Sequence, residues 1–387
     1  MHILELPSFF PPLGGLFCLD QAKALQSLGH EVRILSNVQL GVTISLRDFL
    51  TLPYGRYEQQ MAGITVCQSY QRGLPRWVRY NVNRWLAIVC SMYKDYERKY
   101  GRPDIIHAHC VKWAGYAAML IGRKHGIPYV ITEHLSFWDY AVEFGMPPSS
   151  CWQIPLLKES LQQAACVIPV SEEVVRDLSG FFGSDYRWKA ISNMIDTDFF
   201  CFHQREPRQE RPFRFCCLGI FVERKGYDIL FKAFQRVKDQ YPEVELHIAG
   251  RGTDTVKCHR MLRDMKMEQS VKVYGEIDKK GVRDLLYRCD ALAFATRSET
   301  QGLVLLEAMS TGIPAISTEA IPPSVRPAGC TIVPVDDVEA LATAMCHIME
   351  HPMTNGEVLS RTVRDMASPQ VIGRQIEQVL VSVLSVG

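Results

Sequence analysis

"MHILELPSFFPPLGGLFCLDQAKALQSLGHEVRILS", residues 1–36, sets two short β-rich runs, "MHILEL" and "HEVRILS", on either side of a segment with another period. Within "GGLFCLDQAKALQSLGH", Leu16, Leu19, Ala22, Leu25 and Leu28 follow helical spacing, and Gly29 stands where that helix closes. The pattern is a βαβ opening. It returns as "DIIHAH", helical "GYAAMLIGRKHG" and "PYVITEH", and again as "CVIPVS" followed by "EEVVRDLSGFF". Strand and helix alternate, so the expected sheet is parallel and covered on both faces.

Between Phe199 and Phe213 the alternation lapses into the polar, proline-marked "FCFHQREPRQERPF", a linker candidate. A second series follows, with "RFCCLGI", "ELHIAG", "VKVYG", "DALAFAT" and "PAISTE" as strands and "YDILFKAFQRVKDQY", "VRDLLYRC" and "VLLEAMSTG" as helices. A chain of 387 residues is long for one ordinary domain, and two doubly wound domains facing across a cleft is the economical architecture. The expected boundaries are 1–186 plus a returning helix at 367–387, and 187–366 between them.

Composition narrows the function classes. Lys+Arg at 43 nearly balances Asp+Glu at 42, so no global field recruits nucleic acid. The 13 cysteines form no Cys-x-x-Cys pair and suit reduced thiols in a cytoplasmic protein. The N-terminus lacks a basic n-region, and Pro7, Pro11 and Pro12 interrupt its apolar run, so it makes a poor signal peptide. No apolar stretch approaches the roughly 20 residues that a membrane-spanning helix needs.

In parallel α/β sheets, ligands bind at the carboxyl ends of strands, where helix N-termini offer free N–H groups. "SETQGLVLLEAM", residues 298–309, lies at such a place, with Glu299 at the mouth of a helix expected to begin near Thr300 or Gln301 and Glu307 two turns inside. On a regular helix the carboxylates would stand roughly 12 Å apart along the axis. A glycosidase pair needs about 5 to 10 Å, so the hydrolase reading loses. Two readings stay open: a clamp on a long ligand such as a nucleotide-diphosphate sugar, approached closely through Gly302, or a dipole-favoured acid beside an unrelated surface Glu.

The stretch "SETQGLVLLEAMSTGIPAIST" resembles the Glu-x7-Glu signature of retaining glycosyltransferases of family 4, which have the GT-B fold of two facing Rossmann-like domains. "LGIFVERKGYDILFKAF", "GRG" after "LHIA", and "VYGEI" stand in that family's order upstream of it. In the first half "PPLGG", "LGHEVRIL", "PDIIHAH", "GIPYVITEH", "IPVS" and "SNMIDTDFF" look like its landmarks, so the resemblance spans essentially the whole chain. It implies that Glu299 bonds donor-sugar hydroxyls, that backbone from Gln301 through Gly302 to Leu303 meets sugar and diphosphate, and that Glu307 holds the ribose. Lys225 would face the departing diphosphate; where the family usually pairs it with an arginine after the glycine, here Gly219 is followed by Ile220, and Arg224 is the candidate substitute. Gly15, Gly250 and Gly275 would complete the donor-binding set. On the same resemblance Gly14, His109 and His134 would belong to the acceptor side, with His134, Lys225 and Glu299 as the catalytic residues.

Other signals are weighed against this. No complete G-x-G-x-x-G follows a strand, which disfavours a dinucleotide enzyme. His107 and His109 project to one face of a strand, but with His134 they lack a third ligand at a diagnostic spacing, and no metal site is expected. "DTD" at 196–198 imitates a metal-gripping Asp-x-Asp, yet reads as a structural turn with Asn193. "QRGLPRWVRYNVNRW" mixes Arg72, Arg76, Arg79 and Arg84 with Trp77, Tyr80 and Trp85, suiting either a solvated helix face or an anionic interface.

The expectation is a retaining, metal-independent glycosyltransferase. It would use a nucleotide-diphosphate sugar as co-substrate, bind no cofactor tightly, and act on a glycan, lipid-linked or small-molecule acceptor in polysaccharide or glycoconjugate assembly. Location would be cytoplasmic, with room for peripheral contact at the inner membrane face. A nucleotide-sugar epimerase of the same fold and a catalytically silent binding subunit are the alternatives; base, sugar, acceptor and oligomeric state are not specified.

Overall fold

The computed structural model describes residues 1–41, 46–145, 151–205, 211–352 and 355–386. The chain divides into two compact units, 1–194 with 369–387, and 195–368.

The first unit runs β1 (His2–Pro7), α1 (Leu16–Ser27), β2 (Glu31–Leu40), α2 (Leu46–Thr51), β3 (Gly55–Met61), β4 (Ile64–Arg72), α3 (Val78–Tyr100), β5 (Ile105–His109), α4 (Tyr116–His125), β6 (Tyr129–Glu133), α5 (Phe137–Phe144), α6 (Gln153–Gln163), β7 (Cys166–Pro169) and α7 (Glu172–Phe182). Its sheet has the order β3-β4-β2-β1-β5-β6-β7 and is parallel except for β3, which pairs antiparallel with β4 at the edge. That hairpin is absent from the sequence expectation, because "GRYEQQM" has no apolar face to announce a strand and β3 is open on both sides. Side chains alternate in the sheet. Leu4, Leu6, Ile106 and Ala108 join one buried cluster, while Ile3, Ile105, Val130 and Ile168 join the other, beneath α1.

The second unit contains β8 (Arg214–Leu218), α8 (Tyr227–Gln240), β9 (Glu245–Ala249), α9 (Val256–Asp264), β10 (Val271–Val273), α10 (Lys279–Arg288), β11 (Ala291–Phe294), α11 (Leu303–Ser310), β12 (Ala315–Thr318), β13 (Thr331–Val333), α12 (Val338–Glu350) and α13 (Gly356–Ala367). Its sheet is parallel, in the order β10-β9-β8-β11-β12-β13. The core holds Phe215, Phe231, Phe234 and Phe294, all at most 1% exposed. Truncating one of these to alanine should cost about 3–5 kcal/mol.

The polar stretch read as a linker is anchored in this unit. Phe200 and Phe213 are buried in its core, and Arg205 donates to the carbonyls of Leu286 and Thr311; residues 206–210 lie outside the described part. Residues 187–194 instead stay with the first unit, where the Ile191 N–H donates to the Pro169 carbonyl at 3.0 Å. The last helix, α14 (Pro369–Val386), lays Ile372, Ile376, Leu380 and Val383 into the α1 side of the first unit. A Cβ on Gly373 would meet the Cβ of Ala24 at 3.1 Å, so glycine is what lets α14 approach α1 this closely.

In each sheet the strand order reverses beside the first strand. β1 lies between β2 and β5, and β8 lies between β9 and β11. The crevices at the carboxyl ends of these strand pairs are where open α/β sheets place ligands.

Candidate active site

In the second unit, two loops meet at that crevice. After β8, Glu223–Lys225 makes a single tight turn closed by Gly226, whose φ is 64° and whose added Cβ would lie 1.8 Å from the Ala295 carbonyl oxygen. Only glycine fits there, and the contact fixes Lys225 against the loop that follows β11. The Lys225 ammonium pairs with the Glu299 carboxylate, both side chains 11% exposed, and lies 5.1 Å from the centre of the Phe294 ring. Glu299 also accepts from the Thr296 hydroxyl at 3.2 Å.

Arg297 anchors the same loop. It bridges Asp228 in a two-pronged pair at 2.8 and 2.9 Å, reaches Asp336 at 2.6 Å, and donates to the Glu223 carbonyl at 2.6 Å. These bonds hold its guanidinium above its ordinary pKa, so it is a fixed cation. No spacing rule in the sequence pairs Arg297 with Asp228. Arg224 contributes its backbone, accepting from the Arg297 N–H at 2.7 Å, while its side chain is partly exposed and pairs with no carboxylate among the described residues.

The helix after this loop begins at Leu303 rather than at 300 or 301. Gly302 has φ 84° and caps it, and a Cβ there would strike Ile321 Cδ1 at 2.6 Å. Glu299 is therefore outside the helix, and the axial estimate of the Glu299–Glu307 separation does not apply. Gln301 is buried and Leu303 is 37% exposed at the helix mouth. Glu307, in the second turn, is partly exposed and accepts no hydrogen bond among the described residues; burial pushes its carboxyl up to about 7, against an opposing pull from Lys279. Gly250 and Gly275 line the neighbouring strand ends, where a Gly250 Cβ would lie 2.0 Å from the Gly219 carbonyl oxygen.

The crevice of the first unit is built differently. Gly15, φ 82°, caps α1, and its added Cβ would sit 2.0 Å from the Phe9 carbonyl oxygen, whereas Gly14 opens on free space. His109 closes β5 and His134 follows β6; the two rings bond at 3.2 Å through Nδ1 of His109 and Nε2 of His134, and Phe17 stacks on His134 at 3.8 Å. Burial holds His134 well below the usual imidazole range, so it is neutral. The third partner that the histidines lacked in sequence is Glu5 on β1, bonded to His109 Nε2 at 2.6 Å and to His107 Nδ1 at 3.2 Å.

Glu5, His107 and His109 are close enough to be considered as metal ligands. The 2.6 Å separation favours a hydrogen bond, since two ligands on a tetrahedral ion at about 2.0–2.1 Å would stand farther apart. The carboxylates of "DTD" are likewise engaged, Asp196 with Lys279 at 3.0 Å and Asp198 with Arg364 at 2.8 Å.

Residues 15–199 match the family Glycosyltransferase Family 4, and residues 212–351 match Glycosyl transferases group 1. This chain is a glycosyltransferase of the GT-B fold. A glycogen synthase from Mycobacterium tuberculosis is 27% identical to the glycosyltransferase, over 91% of this chain and 87% of that one. Among solved structures, a sucrose-phosphate synthase from Thermosynechococcus elongatus covers 100% of both chains with TM-score 0.76 at 18% identity. The Anabaena protein HepE, solved in complex with UDP-glucose, aligns at TM-score 0.69 and 18% identity, covering 99% of this chain and 100% of that one.

The basic aromatic stretch of the glycosyltransferase splits on folding. Arg76, Trp77, Arg79 and Tyr80 are exposed, with the Arg79 guanidinium 5.5 Å from the Trp152 ring. Arg72 and Trp85 are buried: Arg72 binds the Phe49 and Leu52 carbonyls, and Trp85 Nε1 donates to the Asn37 carbonyl at 2.7 Å. Among the described residues, no helix is long and apolar enough to cross a membrane.

Proposed function

We propose that the protein transfers a sugar from a nucleotide-diphosphate sugar to a hydroxyl of a glycan or lipid-linked acceptor, with retention at the anomeric carbon and without a metal ion. The observation that carries this is the Lys225–Glu299 pair beside the glycine-capped start of α11. It sets a cation and free helix N–H groups where a diphosphate's charge would develop, and a carboxylate for sugar hydroxyls. Glu307, without a hydrogen-bond partner among the described residues, is suited to accept from ribose hydroxyls. The binding of UDP-glucose by HepE supports the donor class, and glycogen synthase supports a glycan acceptor.

The donor set is Lys225, Glu299, Gln301, Gly302, Leu303 and Glu307, with Gly15, Gly250 and Gly275 leaving backbone room and Arg224 a secondary cation. His134, with His109 and Gly14, serves the acceptor side. In the step itself, the acceptor oxygen bonds to the anomeric carbon as the bond to the phosphate oxygen breaks on the same face. The acceptor proton passes to the leaving diphosphate, so positioning and electrostatics supply the catalysis.

The exposed Arg76, Trp77, Arg79 and Tyr80 fit peripheral contact with an anionic lipid surface. A cytoplasmic location agrees with the donor class. The decisive experiment is thermal-shift screening against nucleotides and nucleotide sugars, then transfer assays with the stabilising donor in excess EDTA. Stabilisation by one nucleotide family and turnover that survives chelation are expected. No stabilisation by any activated sugar at millimolar concentration would remove the donor assignment.

A further inference from the structure

On the α1 side of the first sheet, the rows nearest the strand starts are apolar, with Ile3 beside Ile105. Toward the strand ends the same face turns polar, with Glu5 beside His107 and His109 beside Thr132. All four of these residues are 0% exposed. A buried carboxylate and two imidazoles stabilise a core less well than the isoleucines that fill the neighbouring rows. Their presence asks for a reason other than packing.

The hydrogen bonds form one chain with a forced direction. His107 Nε2 meets the Thr132 hydroxyl at 2.7 Å and His107 Nδ1 meets Glu5 at 3.2 Å; Glu5 meets His109 Nε2 at 2.6 Å, and His109 Nδ1 meets His134 Nε2 at 3.2 Å. Burial opposes the Glu5 charge, but His107 and His109, both hydrogen-bonded to it, outweigh burial and hold the carboxyl below its ordinary range, so it is ionised and only accepts. His109 Nε2 must therefore carry a proton. Burial and the neighbouring His107 disfavour a second proton on His109, which leaves its Nδ1 a lone pair. That lone pair can only accept, so His134 must donate from Nε2. Its Nδ1 is then a lone pair too, and among the described residues no hydrogen bond reaches it, with the Asn193 side chain its polar neighbour.

We propose that Glu5 is a positioning residue of the transfer reaction: acting through His109, it holds His134 in the neutral tautomer protonated at Nε2, with Nδ1 kept as an acceptor for a hydroxyl of the ligand. The inference rests on the acceptor-side reading of His134. Phe17 holds the ring plane, and Glu5 decides which nitrogen has the proton. Glu5 touches no ligand in this scheme.

The test starts with the wild-type protein, labelled with ¹⁵N-histidine and assigned with His109→Gln and His134→Gln. Two-bond ¹⁵N–¹H correlation spectra at neutral pH should show His134 protonated at Nε2. A proton on Nδ1 would overturn the proposal whatever any variant does. In Glu5→Gln, the carboxamide no longer forces a proton onto His109 Nε2. His134 should then lose its single tautomer, and kcat should fall about 10- to 100-fold while the donor KM stays within about 2-fold. Unchanged kcat in a folded Glu5→Gln protein would also overturn it. If the wild-type protein transfers no sugar from any donor, the glycosyl-transfer reading fails instead, and the spectra still decide the tautomer.

Discussion

The two crevices solve opposite problems. In the second unit, Lys225, Glu299 and Glu307 stand around the start of α11, with Glu307 unpartnered among the described residues, and glycines clear the backbone around them. In the first, Glu5, His107 and His109 are wholly enclosed and satisfy one another. An arrangement with unmet hydrogen-bonding capacity suits binding a polar ligand, whereas a closed network suits fixing the state of one neighbour. Changes on the donor side should therefore act on turnover and ligand affinity, and changes in the enclosed cluster on the condition of His134.

The contrast is broken most directly at Lys225. Lys225→Ala should lower kcat by on the order of 10²–10³ without unfolding the chain, since a cation at the developing diphosphate charge is lost. Steady-state kinetics beside a thermal melt would show it; wild-type turnover would strip Lys225 of its role and leave the pair with Glu299 a structural one. Gly302→Ala should come next. Its left-handed φ and the 2.6 Å approach to Ile321 should cost about 1–3 kcal/mol in a denaturant titration, with donor binding weakened as the helix mouth shifts.

Glu307 sharpens the comparison through pH. Its carboxyl in the folded chain, about 7, lies above the ordinary 4.5, so the folded state keeps a proton that the unfolded state has released. That stabilisation is complete below pH 4.5 and is lost as pH rises through 7. Glu307→Gln, which cannot ionise, should stabilise the ligand-free protein at pH 8 by on the order of 1–2 kcal/mol, the figure discounted for partial exposure, and change little at pH 4.5. Equal melting shifts at both pH values would sink the assignment. A smaller effect is expected at Arg224. Its guanidinium is partly exposed and pairs with no carboxylate among the described residues, so Arg224→Ala should reduce kcat by about 10-fold or less. A loss matching that of Lys225→Ala would make Arg224 a full replacement for the arginine that Ile220 displaces. The smallest change expected is at the surface patch, where charge reversal at Arg76 and Arg79 should weaken liposome co-sedimentation while leaving kcat on a soluble acceptor unaltered.

Legibility differed between the crevices for a physical reason. Most of the residues proposed for the donor side lie within two local segments, 218–226 and 296–307, where strand, glycine and helix follow one another, so spacing along the chain carries the information. Even there periodicity places the helix start too early, because the left-handed Gly302 ends the loop only at Leu303. Arg297 carries no local signal, since its partners, Asp228 and Asp336, are brought to it only by packing. Glu5 left a faint signal, a charge inside the apolar run "HILELP", but its partners are His107 and His109, across a strand pair about a hundred residues apart in sequence. The buried fates of Arg72 and Trp85 were equally unreadable from composition.

Local chemistry in the chain determined the alternation of strands and helices, the glycines that open each turn, and the residues at the start of α11, because backbone propensity and short-range sterics act over a few residues. Strand register decided the rest. Which strand lies beside β1, and therefore which side chain meets Glu5, is set when the sheet assembles and its faces are buried, and that choice is made by the whole core at once.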